Sequence, residues 1–324
     1  MIREVAVTAH SRLHISLFDM NGSLGRMNGG AGVVLNEPVL RLRVRGTQAS
    51  SVERGLEPFV SRFTKVFGPV TASLELESMF PRHVGLGSTT QLALSVGAAL
   101  SRLKGIRLSV DRLAAAMRRG GASGIGVYGF AGVGSFIVDA GHRVKGQEVF
   151  APSDFSSKPP PPLIFARDLP ASWRFVVCVP KKGKTVYGVS EKRFFEQNCP
   201  VPARETEALS RVVLSLLIPS VVEGDLEAFG DALNRIQGLG FKKRELQNQT
   251  EDVRRLISAG LKAGAAGGGL SSFGPTVFFA CGSEKQAKRV VDDVLDDCLH
   301  VYSASPYGKG ASIEEANRTI PSGK

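Results

Sequence analysis

An α+β fold, with antiparallel strands leading and helices dominating later, is the class this sequence predicts. Three observations carry that prediction. Apolar residues alternate near the start: in RLHISLF at 12–18, Leu13, Ile15 and Leu17 share one face while His14 and Ser16 share the other. Longer runs with helical spacing fill the chain from about residue 203 to 261. Between them stands SSKPPPPL at 156–163, whose prolines lack backbone donors and favour extended backbone. It is read either as a domain boundary or as a rigid surface loop.

Strands are expected at 3–8, 12–18, 38–45 and 70–78, with a glycine-rich loop at 21–32. Leu56, Phe59, Val60, Phe63 and Phe67 give a helix over 56–67. A strongly apolar helix follows over 89–104 and another over 110–119, with Asp111 suited to its first turn. GGASGIGVYGFAGVGSF at 120–136 holds too many glycines to be one regular helix. SFIVDAGH and VKGQEVF read as strands around a turn, and WRFVVCVP as a buried strand. Helices fit 203–218, 222–236 and 248–261, then a loop at 263–275, the strand TVFFAC, a helix from 283 and the strand LHVYSA. The resulting division is 1–158, 159–305 and a polar tail, 306–324, expected to be disordered.

Composition narrows the functional classes. The chain has 324 residues, 43% apolar and 22% charged, enough to bury a sizeable core. No apolar run reaches the roughly 20 residues that span a bilayer, and the opening MIREVAVTAH lacks the apolar core of a signal peptide. A cytoplasmic protein without membrane contact is expected. The four cysteines stand at no metal-ligand or disulfide-framework spacing. Cys178 and Cys281 read as small buried residues in strands. A net charge of +11 and a pI near 9.7 suit an anionic small molecule, a nucleic acid or an acidic surface. Basic residues are scattered without an interleaved aromatic stripe, which speaks against nucleic acid.

The chemistry concentrates in glycine loops. Gly85-Leu86-Gly87-Ser88-Thr89-Thr90 opens a helix. Glycines let backbone N–H groups approach an anion, and a helix N-terminus leaves its first donors free with a partial positive charge. The hydroxyls of Ser88 and Thr89 add donors or ligate a magnesium ion carried by a phosphate. The alternative is a tight strand-to-helix turn with Ser88 as N-cap. It is neither a G-K-[ST] phosphate loop nor a dinucleotide fingerprint. Two further loops, GGASGIG at 120–126 and GGGLSSFGP at 267–275, also combine glycine with serine.

These motifs resemble a family. PRHVGLGSTT is similar to the second motif of the GHMP small-molecule kinases, P-x-x-x-G-L-G-S-S, and GGGLSSFGP stands where those kinases carry their C-terminal glycine motif. GGASGIG resembles their P-S-G-x-D stretch, but Gly126 occupies the aspartate's place and no neighbouring carboxylate is expected to replace it. The departure argues against phosphoryl transfer, which needs a group to orient its acceptor, and leaves phosphate binding intact. RLHISLFDMNGSLGRMNGGAGVVLNEP at 12–38, RGGASGIGVYGF at 119–130, FIVDAGH at 136–142 and SSFGPTVF at 271–278 are similar, in the same order, to the β-ribofuranosylaminobenzene 5′-phosphate synthase family of that superfamily.

The resemblance implies a two-domain GHMP-kinase-like α+β fold. Its N-terminal part would be ribosomal-protein-S5-like and its C-terminal part ferredoxin-like. It implies a decarboxylating glycosyltransferase that joins phosphoribosyl pyrophosphate to 4-aminobenzoate or 4-hydroxybenzoate, releasing carbon dioxide and pyrophosphate. The step belongs to methanopterin-type cofactor synthesis, in a homodimer with Mg2+. On this basis Gly85, Leu86, Gly87, Ser88, Thr89 and Thr90 hold pyrophosphate, with Ser88 or Thr89 at the magnesium. Ser123 and Gly124 line the reacting face, while Ser271, Ser272 and Gly274 close the site. Arg12, His14, Asp19 and Arg26 come from the first strand and loop, and Ser88, Ser123, Arg26 and Asp19 are the expected catalytic residues. Arg12 and Arg26 suit bidentate binding of phosphate or carboxylate. His14 stays open between ligand and structural residue, and Asp19 between magnesium ligand and loop cap. Asp139 and His142 are expected to form a structural hydrogen-bonded pair. Lys181, Lys182 and Lys184 form either a phosphate contact or a solvated turn. The rival readings are an ATP-dependent GHMP kinase and a non-catalytic phosphate- or nucleic-acid-binding protein.

Overall fold

A computed structural model describes residues 2–144 and 149–318. It begins with a long hairpin of β1 (Ile2–Asp19) and β2 (Arg26–Gly46), paired antiparallel along nearly their whole length. The alternation read at 12–18 is real, since Leu13, Ile15 and Leu17 are all buried. Two register shifts interrupt the pairing, between His10 and Arg12 and between His14 and Ser16. Such bulges re-aim side chains, and these two bracket Arg12 and His14. β2 outlasts its partner. Its outer half pairs with β4 (Ala72–Ser78), joined to the short β3 (Ser51–Val52), and its inner half with β5 (Phe136–Asp139) and β6 (His142–Arg143).

The first sheet does not stop at residue 158. β7 (Leu163–Arg167), beyond the proline run, pairs with β5. The described part of the expected tail is ordered: β12 (Ser312–Arg318) lies antiparallel to β1 and closes the other edge. The loop expected over 21–32 ends early, because β2 starts at Arg26. Most of VKGQEVF lies outside the described residues.

Helices cover one face of this sheet. α1 (Glu57–Phe67) buries Phe59 and Phe63. α2 (Ser88–Leu103) is buried along most of its length and packs on β1 and β2. α3 (Val110–Ala116) is capped by Ser109, and α4 (Ile125–Ala131) is a short helix inside the glycine-rich stretch.

The later half holds an antiparallel sheet in the order β11–β8–β10–β9, built from β8 (Arg174–Pro180), β9 (Gly267–Leu270), β10 (Val277–Cys281) and β11 (Cys298–Ala304). Its helices are α5 (Val189–Asn198), α6 (Ala203–Val212), α7 (Ile218–Glu223), α8 (Leu226–Gln237), α9 (Gly240–Gln247), α10 (Glu251–Lys262) and α11 (Glu284–Val294). α6 runs into α7 through a π-helical turn. Asp225, Thr250 and Ser283 cap α8, α10 and α11 through their side chains. α5 and α9 escape the periodicity analysis because few of their positions are apolar: α5 buries only Phe195, and α9 buries Lys242 and Glu245 beside Phe241.

One apolar core runs through both halves. Phe229 of α8 packs edge-on against Phe136 of β5 and Phe175 of β8, and leans on Trp173. A smaller cluster of Leu17, Met20, Phe195, Phe241 and Phe273 lies between β1, α5 and α9. It forms the floor on which the site is built. Among the described residues no helix is long and apolar enough to cross a membrane.

Candidate active site

Two of the glycine loops and one strand are sewn into a single structure. Arg12 N–H donates to the carbonyl of Leu86 at 3.1 Å, and Arg12 Nη1 to that of Gly85 at 2.5 Å. Ser271 Oγ donates to Gly85 O at 2.8 Å and accepts from His14 N–H at 3.0 Å, while Ser272 N–H donates to His14 O at 2.9 Å. The chain thus brings residues 12–14, 85–87 and 271–274 to one place. Gly87, with φ of 84°, is the N-cap of α2, and no side chain caps that helix. Ser88 is its first residue instead of its cap, and Ser88 Oγ accepts from His83 N–H at 3.3 Å.

A cleft opens here as two adjoining cavities. The outer one is lined by the turn residues Gly85, Gly87, Ser88 and Thr89, by Gly274 opposite, and by His83 stacked on Tyr187 at 4.3 Å. The inner one is lined by His14, Leu17, Ala122, Ser123, Phe195 and Glu245. Arg12, Thr90, Arg119, Asp154, Glu191, Ser272 and Phe273 border both cavities and so mark the junction. Arg119 is fixed there. Its Nε and Nη2 donate to Thr90 Oγ1 at 3.2 and 3.0 Å, and its Nη1 pairs with Asp154.

Burial sets the charges. It lowers the Arg12 guanidinium to about 10, assisted by the neighbouring Arg119, and still leaves it a cation at neutral pH. Burial, with Arg12 and Lys242 nearby, lowers His14 well below its usual range and keeps the imidazole neutral. Burial and the nearby Asp154 and Glu245 raise Glu191 to about 8 against the pull of Arg119 and Arg12. Behind the inner cavity Lys242 and Glu245 form a buried ion pair. Burial raises the Glu245 carboxyl, Lys242 opposes that rise, and the Lys242 ammonium is itself lowered by burial. Lys242 Nζ also donates to the carbonyls of Leu270 and Ser272 at 3.2 and 3.3 Å.

The expected residues divide into two groups. Arg12, His14, Gly85, Gly87, Ser88, Thr89, Thr90, Ser123, Ser272 and Gly274 line the cleft. Leu86 is buried in the core, and Ser271 is a stitch whose hydroxyl serves two backbone groups. Asp19 accepts from Asn21 and Gly22 N–H at 3.1 Å and caps the turn between β1 and β2. Arg26 donates to the carbonyls of Ala140 and Gly141 at 2.9 Å. Neither borders the cleft cavities.

Gly124 N–H donates to Asp139 at 2.8 Å, and Ser123 Oγ to the same carboxylate at 3.1 Å. Asp139 also accepts from Gly30 and Gly141, and burial still raises it to about 6 despite these bonds. For the expected Asp139–His142 pair the structure gives other partners: His142 Nε2 lies 2.9 Å from Pro159 O, and its Nδ1 lies 3.5 Å from Asn28 Nδ2. Lys181, Lys182 and Lys184 are exposed, with Lys184 Nζ on Asn248. Contrary to the expectation above, the neighbourhood of Gly126 holds carboxylates: Asp154, Glu191 and Glu245 line the cavity that Gly126 borders. These three acids, Arg119 and Lys242 are the residues that motif analysis did not find. Only Arg119 had a signal, at the head of RGGASGIG.

Residues 54–133 match the GHMP kinases N terminal domain, and residues 217–298 match GHMP kinases C terminal. Homoserine kinase from Cytophaga hutchinsonii superposes with a TM-score of 0.69 over 96% of this chain and 97% of that one, at 17% identity, a likeness of fold. Beta-ribofuranosylphenol 5'-phosphate synthase of Methanothermobacter thermautotrophicus is 40% identical over 86% of this chain and 89% of its own length. The Methanocaldococcus jannaschii protein of that name is 37% identical over 88% and 92%. Identity at that level across nearly the whole length shows that the chain belongs to the beta-ribofuranosylphenol 5'-phosphate synthase family, on a GHMP kinase fold.

Proposed function

We propose that the protein condenses phosphoribosyl pyrophosphate with 4-hydroxybenzoate or 4-aminobenzoate, releasing carbon dioxide and pyrophosphate, as a step in methanopterin-type cofactor synthesis. The observation that carries this is the near full-length identity to synthases of ribofuranosylphenol 5'-phosphate. The cleft suits the chemistry. In this reading the diphosphate lies in the outer cavity against the amides at the start of α2, with Arg12 and Arg119 beside it. The bond from the anomeric carbon to the diphosphate oxygen breaks as negative charge grows on the leaving group. Donors aimed there favour the transition state over the ground state. The ring carbon bearing the carboxylate bonds to the anomeric carbon. Its bond to the carboxylate then breaks, and the released electron pair restores aromaticity. No base is needed to remove a ring proton, so Gly126 costs this reaction less than it would cost a kinase.

Among the described residues no cluster of three or more His, Cys, Asp or Glu can hold a metal. A magnesium ion carried by the diphosphate needs few protein ligands, and the hydroxyls of Ser88 and Thr89 and the Asp154 carboxylate are hard oxygen donors that line the outer cavity. When bound, magnesium supplies charge neutralisation to the leaving diphosphate. A cytoplasmic location, where free cysteines persist, and a homodimer are parts of the same proposal.

The test is incubation with phosphoribosyl pyrophosphate, magnesium and carboxyl-labelled substrate. Labelled carbon dioxide and pyrophosphate are expected in equal amounts without ATP, with a loss of rate in Ser88→Ala. ATP consumption with a small alcohol and no carbon dioxide would refute the reading in favour of a kinase. Salt-sensitive oligonucleotide binding without turnover would favour a binding protein.

A further inference from the structure

The inner cavity has wall residues that the outer one lacks. Leu17, Ala122 and Phe195 are apolar, and Phe273, shared by both cavities, packs against Phe241 and Phe194 from behind. Apolar side chains set among polar groups suit an aromatic ring that carries polar substituents. The two arginines stand only at the junction, so a carboxylate belongs there and the rest of the aromatic acid extends inward. The inner cavity, and not the outer one, is also lined by two buried polar side chains. His14 is 5% exposed, and its Nδ1 has no hydrogen-bond partner among the described residues. Glu245 is 3% exposed, anchored by Lys242. A buried polar atom without a partner is costly unless a ligand satisfies it.

We infer that the aromatic acid lies in the inner cavity with its para substituent against Glu245 and His14, and that Glu245 accepts the para hydroxyl's proton as the ring attacks. The inference rests on the proposed function and adds the orientation of the ring and a catalytic residue.

The electrons balance. The proton moves from the para oxygen to the Glu245 carboxylate, and the oxygen's electrons enter the ring at the para carbon. The carbon at the opposite end of the ring, which bears the carboxylate, bonds to the anomeric carbon while diphosphate leaves with the electrons of the broken C–O bond. Loss of carbon dioxide returns an electron pair to the ring, and Glu245 returns its proton to the oxygen. His14, kept neutral, is the second partner for that oxygen. Burial lifts the Glu245 carboxyl toward the range of the phenol it must deprotonate, which suits proton transfer.

An amino group differs in one respect. Its nitrogen lone pair enters the ring without first losing a proton. Glu245 then serves only as a hydrogen-bond acceptor, a role the amide oxygen of glutamine also fills.

The experiment measures kcat for both acids in Glu245→Gln. Expected is a fall of about 100-fold or more with 4-hydroxybenzoate and a change within about fivefold with 4-aminobenzoate. Because Glu245→Gln leaves Lys242 buried without its partner, the double variant Lys242→Met/Glu245→Gln is measured in parallel. It removes both charges and is expected to show the same selective loss. Equal losses for the two acids, or an unchanged rate with hydroxybenzoate, overturn the inference. So does a wild-type enzyme that turns over aminobenzoate alone, which leaves the proposed function standing. A wild-type enzyme that turns over neither acid refutes the proposed function itself.

Discussion

Arg119 and Glu191 both border the junction of the cavities, and their charges act on what the cleft will hold. Arg119 is oriented by Thr90 and paired with Asp154, so its guanidinium reaches the junction with little freedom left to lose. Charged hydrogen bonds contribute about 1.5–3 kcal/mol. Arg119→Ala is therefore expected to lower kcat/KM for phosphoribosyl pyrophosphate by roughly 10- to 100-fold, with a smaller loss in Thr90→Val; steady-state kinetics at fixed salt checks both. Glu191 behaves oppositely. Its carboxyl, raised to about 8, is mostly protonated at neutral pH and ionises as pH climbs through about 8. A diphosphate bound beside it disfavours the ionised form and raises the value further. When pyrophosphate binds near pH 8 without magnesium, Glu191 should take up a fraction of a proton. Calorimetry in two buffers of different ionisation enthalpy reads the net proton exchange, to which the ligand's own ionisation also contributes, and Glu191→Gln should shift that net exchange by the Glu191 fraction. A net exchange unchanged in Glu191→Gln would mean that Glu191 does not sense the anion.

At the scale of elements, the loop 271–274 holds the site by main-chain stitching. Ser271 Oγ joins His14 N–H to Gly85 O. Ser271→Ala removes both bonds and leaves a buried N–H without that acceptor, at a cost of about 1–3 kcal/mol. Gly85 is less replaceable: its φ is 102°, and a Cβ would run into the Ser271 carbonyl. Gly85→Ala should lower Tm more than Ser271→Ala and abolish activity, as thermal melts and carbon dioxide release would show. The same packing explains what was legible in the sequence. Strands such as β8 and helices such as α2 announce themselves by apolar period, and the glycine turns by composition. β9 does not. Its sequence GGGL reads as loop, yet it is a strand because α8 and β10 approach too closely for side chains; a Cβ on Gly268 would lie 2.6 Å from Phe279 Cδ1. Nor do Glu191, Glu245 and Lys242 announce themselves. They sit on α5 and α9, whose charged residues mask the helical period, and only tertiary packing brings them to Arg12 and His14.

The whole molecule behaves as one body because its halves share a core and a cleft. Phe229 of α8 ties β5 of the first sheet to β8 of the second, and burying a phenylalanine side chain contributes roughly 1.5–3 kcal/mol. The cleft is likewise composite: Arg12, Ser88 and Arg119 come from the first half, and Glu191, Glu245 and Phe273 from the second. An anion in it touches both halves, so its binding energy is lost if either unfolds. Stabilisation should follow mass action, about 2.7 kcal/mol at a ligand concentration 100 times Kd. Magnesium pyrophosphate is thus expected to raise a single calorimetric transition as a whole, without splitting it. Arg119→Ala should shrink the shift in proportion to its weaker binding. A thermogram in which one transition moves and a second stays fixed would show that the diphosphate contacts only one half, and the composite cleft would lose its claim to be the binding site.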